Sequence, residues 1–416
     1  MKLYSKNKDY KLYQGNILDM LEVIEADSID SIVTDPPYEL NFMGKGWDNA
    51  GISFNPNTWK QCYEVLKPGG YLLAFGGSRT YHRIACAIED AGFEIRDTIM
   101  WLYGSGFPKS LNIGTAIDKK NGVESKVVGI GKSGSNSKAF NLTEEQEKAG
   151  TGILAGEYSI KQAQNKWNGW GTCLKPSFEP IIVARKPFKG SLVDNVIENG
   201  VGGINIDECR VGTEEQTVSG RFPANTILTY DETDFDEVCG GFPYTKTGSI
   251  KPHINKSNGI CNFNTQNKTI NYFNGDSGSA SRYFYCAKAS KKDRDEGLDS
   301  FNNETVNDGR QTPIDNPFQR GETPRKNTHP TVKPTELMQY LVRLVTPNNG
   351  IVLDPFNGSG STGKAVMYEN KGRNKNYKYI GIELTEEYLP IAKARIEYVC
   401  NLEKEKETQA TIFDYI

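Results

Sequence analysis

The sequence predicts an α/β fold, a doubly wound parallel sheet whose two halves flank a long irregular insertion. Three observations carry that expectation. Apolar strands alternate with helical stretches over residues 1–110 and again over 328–400, the pattern of strands joined by crossover helices. Two of those strands stop on a carboxylate followed by turn chemistry, Asp35 before Pro36-Pro37 and Asp354 before a glycine-rich run. Ligands of doubly wound sheets sit at such strand ends. Residues 190–327 are rich in Asn, Gly and aromatic side chains and hold few periodic segments.

The elements follow in order. Lys11–Gln14 reads as a short strand and Ile17–Ile24 as a helical stretch. Ser31–Thr34 is an apolar strand, cut short because prolines donate nothing to a ladder and bias the preceding residue away from helix. Thr58–Leu66 reads as a helix, Lys67-Pro-Gly-Gly70 as a turn, Tyr71–Phe75 as a strand, Arg79–Ala91 as an amphipathic helix and Phe93–Leu102 as a strand. Residues 119–178 turn to Gly, Ser, Asn, Lys and Gln, and Gly129–Ser137 reads as a flexible loop. Glu179–Arg185 is a strand. Regular structure resumes with a helix over Glu336–Val345, a strand over Gly350–Leu353, a helix over 363–370, a strand over Tyr379–Ile382 and a helix over Glu386–Tyr398.

Composition sets limits. The 416 residues suffice for a large core and more than one domain. Net charge is −3, so global charge does not announce a nucleic-acid partner. Between Lys246 and Lys333, however, 14 Lys or Arg stand against 9 Asp or Glu, an excess that suits a phosphate backbone or a solvated loop. The eight cysteines include no C-x-x-C pair, so no metal site is expected. There is no apolar signal region and no run long enough to span a membrane, so a cytoplasmic, reduced protein is the default expectation.

The glycine-rich run, Asp354-Pro355-Phe356-Asn357-Gly358-Ser359-Gly360-Ser361-Thr362, follows an apolar strand and opens a helix. Backbone can approach a nucleotide-like ligand closely there, and Glu383, one β-α unit downstream, stands where a ribose diol is held. Gly358 to Lys364 also spells G-x-x-x-x-G-K, the phosphate loop of an NTPase. That motif then requires Ser or Thr, and this chain has Ala365. An acidic strand end also favours a cationic ligand over a triphosphate.

Asp35-Pro36-Pro37-Tyr38 reads as a pocket for an aromatic amine. The Asp35 carboxylate and the Pro36 carbonyl offer two acceptors for an NH₂ group, and Tyr38 offers a flat face.

At these residues the chain resembles the S-adenosylmethionine-dependent DNA amino-methyltransferases, which modify adenine N6 or cytosine N4. The motifs are Asp35-Pro-Pro-Tyr38, Asp354 to Gly360, and Asn327-Thr-His-Pro-Thr-Val-Lys-Pro334. The catalytic motif precedes the cofactor motif, as in the β class, a circular permutation of the Rossmann-like methyltransferase sheet. Lys175 to Ile181 and Arg221 to Asn225 are similar to stretches of phage- and prophage-type enzymes. The likeness covers residues 10–110, 175–185 and 327–398.

The resemblance implies a division of the chain. Residues 1–110 form the catalytic half, 111–189 a flexible insertion with a returning strand, 190–327 a target-recognition region, 328–400 the cofactor-binding half and 401–416 a tail. It implies roles as well. Asp354, Pro355, Phe356, Asn357, Gly358, Gly360 and Thr362 surround the methionine part of the cofactor, and Glu383 takes the ribose hydroxyls. His329, Thr331 and Lys333 close over the methionine carboxylate. Asn16 lies near the cofactor adenine, where the family often has Asp. Asp35, Pro36, Pro37 and Tyr38 hold the target base, with adenine favoured by Asp in the first place and N4-cytosine as the alternative. The partner is DNA, and the family often forms a homodimer through the sheet domain.

The implied reaction is direct. The base leaves the duplex at a cost of a few kcal/mol, Tyr38 stacks on it for about 1–3 kcal/mol, and the oriented amine attacks the sulfonium methyl in line. A covalent cysteine is not required. Arg210, Arg221, Asn225, Gln266 and Arg282 are candidates for reading base edges. Gln409 to Ile416, after a charged linker, is similar to peptides that dock in sliding clamps, with packing on the catalytic domain as the alternative. An RNA or protein methyltransferase, an NTPase and a catalytically silent DNA-binding module are competing readings.

Overall fold

The computed structural model describes residues 1–40, 48, 50–103, 110–132, 157–212, 220–229, 244–246, 253–254, 269–270, 277–279, 284–286, 291–306 and 323–413. One ten-stranded sheet organises them. Its strands are β1 (Lys2–Lys6), β2 (Tyr10–Gln14), β3 (Ile29–Thr34), β4 (Leu66–Phe75), β5 (Glu94–Tyr103), β6 (Phe178–Arg185), β7 (Thr226–Thr229), β8 (Tyr285–Cys286), β9 (Ile351–Asp354) and β10 (Lys378–Glu383). The spatial order is β1-β2-β10-β9-β3-β4-β6-β5-β7-β8. Thus the second half of the chain inserts β9 and β10 between β2 and β3, both parallel to their neighbours.

The helices are α1 (Pro56–Val65), α2 (Tyr81–Asp90), α3 (Ile113–Lys120), α4 (Leu192–Asn199), α5 (Lys291–Asp295), α6 (Thr335–Val345), α7 (Ser361–Arg373) and α8 (Leu389–Phe413). Every residue of β3 is buried, as expected of a central strand covered on both faces. On β4 the alternation is explicit. Tyr71, Leu73 and Phe75 join the core under α6, α7 and α8, while Leu72 and Ala74 join the core under α1 and α2.

Several expectations are corrected. The sheet is not all parallel: β1 runs against β2, and β6 runs against both β4 and β5. Lys67 to Gly70 is not a turn but the bulged start of β4, because Gly69 N–H donates to the Lys186 carbonyl and Lys186 N–H to that of Gly70. Gly129 to Lys132 are not loop; they pair with Glu157 to Ile160 in a hairpin, while 133–137 lie outside the described residues. The insertion is more regular than its composition predicts. It contributes α4, α5, the edge strand β8 and its neighbour β7, which pairs in parallel with β5.

The expected linker at 402–408 is helical, since α8 continues unbroken to Phe413. Side chains beyond Leu402, including the clamp-like segment, lie outside the described residues. Among the described residues no helix is long and apolar enough to cross a membrane.

The back of the glycine-rich loop is fixed by buried charge. Lys364, fully buried, lies 2.8 Å from Asp293 of α5 and 2.8 Å from Glu296. Arg395, also fully buried, donates to the Ser359 carbonyl at 2.7 Å and lies 3.9 Å from Asp293. Asp293 further accepts from the Thr335 N–H at 2.6 Å and from its hydroxyl. The lysine of the phosphate-loop look-alike is therefore held behind the loop by carboxylates, which a triphosphate site cannot afford.

Candidate active site

The C-terminal ends of β3, β4, β9 and β10 open on one edge of the sheet. Because β6 is antiparallel, its first residues come to that same edge. These ends line a single cleft of about 1110 Å³, which contains Asp35, Pro36, Pro37 and Tyr38 together with Asn16, His329, Thr331, Lys333, Asp354 to Ser359, Ser361, Thr362 and Glu383. Gly360, at the mouth of α7, is not in the lining. The two motifs that lie 319 residues apart in sequence (35 to 354) thus share one cavity.

Asp354 is buried and fully engaged. Its Oδ1 accepts from the Thr34 hydroxyl at 2.6 Å and the Phe356 N–H at 3.1 Å, and its Oδ2 from the Thr362 hydroxyl at 2.6 Å. Burial pushes its carboxyl up to about 6, against the pull of those donors. The side chain that ends β9 therefore ties the glycine loop to β3 and α7.

Glu383 performs the same task one strand over, accepting from the Gly358 N–H at 2.7 Å and the Thr385 N–H at 2.8 Å. Burial raises its carboxyl as well. Asn357 accepts from the Tyr379 hydroxyl at 2.7 Å and donates to the Gly358 carbonyl. Gly358 has φ 48°, and a Cβ there would come 2.8 Å from Nε2 of His329. Asn16 caps the 3₁₀ turn Ile17–Glu22 by accepting from the Leu18 N–H.

The His329 imidazole donates from Nδ1 to the Thr331 carbonyl at 2.6 Å and packs edge-on against Tyr388. Burial lowers it to about 4, so it is neutral. This segment places Lys333 elsewhere than expected. Its ammonium lies 2.7 Å from Asp35 Oδ2 and 3.4 Å from Glu179 Oε2, over the rings of Tyr38 and Phe75. Lys333 thus pairs with the two carboxylates of the Asp35 pocket while lining the same cleft as the glycine loop.

Asp35 keeps one face available. Oδ2 is taken by Lys333, whereas Oδ1 is buried and has no hydrogen-bond partner among the described residues. Tyr38 donates its hydroxyl to Glu179 Oε2 at 2.7 Å, and burial raises its phenol well above the ordinary value. Glu179 was not singled out from the sequence. Two signals were present without a role attached to them: its place in the Lys175 to Ile181 stretch and its position at the opening of the apolar run Glu179–Arg185.

Three of the candidate base-reading residues, Arg210, Arg221 and Asn225, lie apart from the cleft lining. Arg210 pairs with Asp207 at 3.0 Å, Arg221 bridges Val211 through its backbone, and Asn225 donates to Asp97 at 3.2 Å. Gln266 and Arg282 lie outside the described residues. No cluster of three or more His, Cys, Asp or Glu is placed to hold a metal among the described residues.

Residues 29–394 match the family model described as DNA methylase. Among curated proteins, the Type II methyltransferase M.HpaI of Haemophilus parainfluenzae is 34% identical over 109 residues, covering 24% of this chain and 34% of that protein. The Type II methyltransferase M.HindIII of Haemophilus influenzae is 22% identical over 239 residues, covering 47% and 64%. The putative methylase YubD of Escherichia coli is 44% identical over 71 residues, covering 17% and 29%. The chain thus spans about a third of the first of these relatives and just under two thirds of the second. Among solved structures, the PvuII DNA methyltransferase (cytosine-N4-specific) aligns over 95% of this chain and 88% of its own, with TM-score 0.43 and 14% identity.

Proposed function

This chain belongs to the DNA methylase family, and on that premise we propose that it transfers a methyl group from S-adenosyl-L-methionine to the exocyclic N6 of an adenine flipped out of DNA. The observation that carries the reading is a free carboxylate oxygen in the cleft. Asp35 Oδ1 is buried, unpaired among the described residues and beside the Tyr38 ring, in the cavity that the glycine loop completes.

The residues present fit the cofactor. Asp354 and Glu383 hold the loop that begins at Phe356 with its backbone drawn in, and a Cβ at Gly358 would fill the approach to His329. Gly358, Asn357 and Glu383 would hold the methionine and ribose parts, with Asn16 in the lining of the same cleft. When bound, S-adenosyl-L-methionine supplies the methyl on a cationic sulfur, which suits an edge lined by carboxylates.

The chain's own part is binding, orientation and charge. Tyr38 stacks on the base, whose extraction costs a few kcal/mol. Asp35 Oδ1 and the Pro36 carbonyl accept the two amine hydrogens, which directs the nitrogen lone pair along one line. The Asp35 carboxylate also stabilises the positive charge that develops on that nitrogen. No side-chain nucleophile takes part. Adenine is the proposed base because the Asp-Pro-Pro-Tyr form of the motif favours it; residues 190–327 are the proposed region of sequence readout.

The test is methyl transfer from labelled S-adenosyl-L-methionine to unmethylated bacterial DNA, followed by digestion to nucleosides and chromatography. Label in N6-methyladenine is the expected result. Label in N4-methylcytosine would keep the mechanism and change the base, and label in neither, with cofactor bound, would overturn the assignment to DNA.

A further inference from the structure

We propose that Glu179 is a positioning residue of the transfer pocket, one that acts on the target amine through Tyr38 and Lys333 without touching it. The inference rests on the methyl-transfer reading above and extends it to a residue of the Lys175 to Ile181 stretch, to which the resemblance attached no role.

Glu179 stands at the start of β6, and the reversal of that strand brings it to the cleft. Its Oε2 accepts from the Tyr38 hydroxyl at 2.7 Å, and its Oε1 from the Tyr103 hydroxyl at 3.3 Å. The Lys333 ammonium lies 3.4 Å from the same Oε2 and 2.7 Å from Asp35 Oδ2. The Lys333 side chain is 8% exposed and that of Glu179 20%, so these contacts act where water screens weakly.

Two consequences follow. The first is geometric. A tyrosine ring swings about its side-chain torsions unless its hydroxyl is anchored, and the anchor here is a carboxylate on an interior strand. Lys333, above the same ring at 5.2 Å, completes the hold. The stacking face for the base is therefore set by Glu179.

The second is electrostatic. Asp35, Glu179 and Lys333 together carry one net negative charge. Lys333 shared between two carboxylates neutralises Asp35 only in part, and it does so at Oδ2. Oδ1 is left as an acceptor in a pocket that favours a cationic amine. Without Glu179, Lys333 would offset Asp35 alone, and the pocket would be neutral.

The test uses the full chain with Glu179→Gln, which keeps shape and an acceptor but removes the charge. Cofactor affinity by calorimetry, the unfolding midpoint, and kcat and KM on DNA are measured. In parallel, protein labelled with ¹³C at tyrosine Cζ is examined by NMR, with the Tyr38 signal assigned by its loss in Tyr38→Phe. The expected result is a kcat lower by up to about 100-fold, the scale of a small misplacement of reacting groups. Cofactor affinity and the unfolding midpoint hold, and the Tyr38 signal moves. Glu179→Asp, which keeps the charge on a shorter arm, is expected to restore kcat to within about tenfold.

A Glu179→Gln chain with wild-type kcat, or one whose loss of turnover follows a loss of cofactor affinity, overturns the proposal. If Glu179→Gln does not fold, the same measurements on Glu179→Asp decide: a changed kcat with a displaced Tyr38 signal supports the role, and neither change overturns it. If the unaltered chain methylates no DNA, the reading of function is what fails. A Tyr38 signal that moves in the variant then still supports Glu179's hold on the ring, and one that stays still overturns it.

Discussion

The ammonium of Lys333 lies 2.7 Å from the carboxylate of Asp35, joining two segments 298 residues apart and leaving the other carboxylate oxygen without a partner among the described residues. Replacing Asp35 by Ala removes that acceptor but does not strand the lysine, because Glu179 remains 3.4 Å away. Turnover should therefore fall by about 10²–10³-fold, the scale of one preorganised polar group. Cofactor affinity, measured by calorimetry, should stay within about twofold, since Asp354 and Glu383 hold the glycine loop without Asp35. Joint loss of both would refute this separation of roles.

Asp35, Asp354 and Glu383 were legible in the sequence for one reason. Each ends an apolar run, and the ends of parallel strands meet at one edge. Glu179 was not legible, although Glu179–Arg185 reads plainly as a strand. Periodicity reports that a strand exists and not which way it runs. Only the reversal of β6 turns Glu179, its second residue, into a site residue. Lys333 was recognised as part of a motif, but its partner is a choice between two carboxylates that spacing cannot make. The charged stretch Lys291 to Glu296 was legible only as part of the Lys246 to Lys333 charge excess, because its partners, Lys364 and Arg395, lie far along the chain.

That last cluster yields a stability prediction. Asp293 is the common acceptor for Lys364, Arg395 and the start of α6. Asp293→Ala leaves two fully buried cations with one fewer carboxylate, and breaking a buried pair costs about 3–5 kcal/mol. Denaturant unfolding of the variant should show a loss of that order. A loss below about 1 kcal/mol would mean that Glu296 compensates.

Gly360 opens α7 with φ 75°, and a Cβ there would lie 3.0 Å from the Cα and Cβ of Ala392. Gly360→Ala meets both a left-handed backbone and a neighbour in α8 that has no room to move. A destabilisation of about 1–3 kcal/mol is expected, with weaker cofactor binding because Ser359 and Ser361, both held by Arg395, must shift. Calorimetric titration of the folded variant would check the second effect apart from the first.

The cleft also carries two groups of opposite titration sense. Burial raises the Asp354 carboxyl to about 6, so the folded chain binds that proton more tightly than the unfolded one does. The stability from this group is full below about pH 4 and is lost as pH rises through about 6. Burial lowers the His329 imidazole to about 4. Its contribution is present above about pH 6.5 and is lost as pH falls through about 4. Each shift is about two units, on the order of 3 kcal/mol, so between pH 4 and 6.5 the two slopes oppose and largely cancel. Single substitutions should uncover them. The stability advantage of the unaltered chain over Asp354→Asn should shrink as pH rises across that window, whereas its advantage over His329→Gln should grow. Urea unfolding at half-unit pH steps would measure both differences. A flat difference for either variant would mean that its group binds the proton in the folded state as it does in the unfolded chain, and the cleft would then be wetter at that end than the shift of that group indicates.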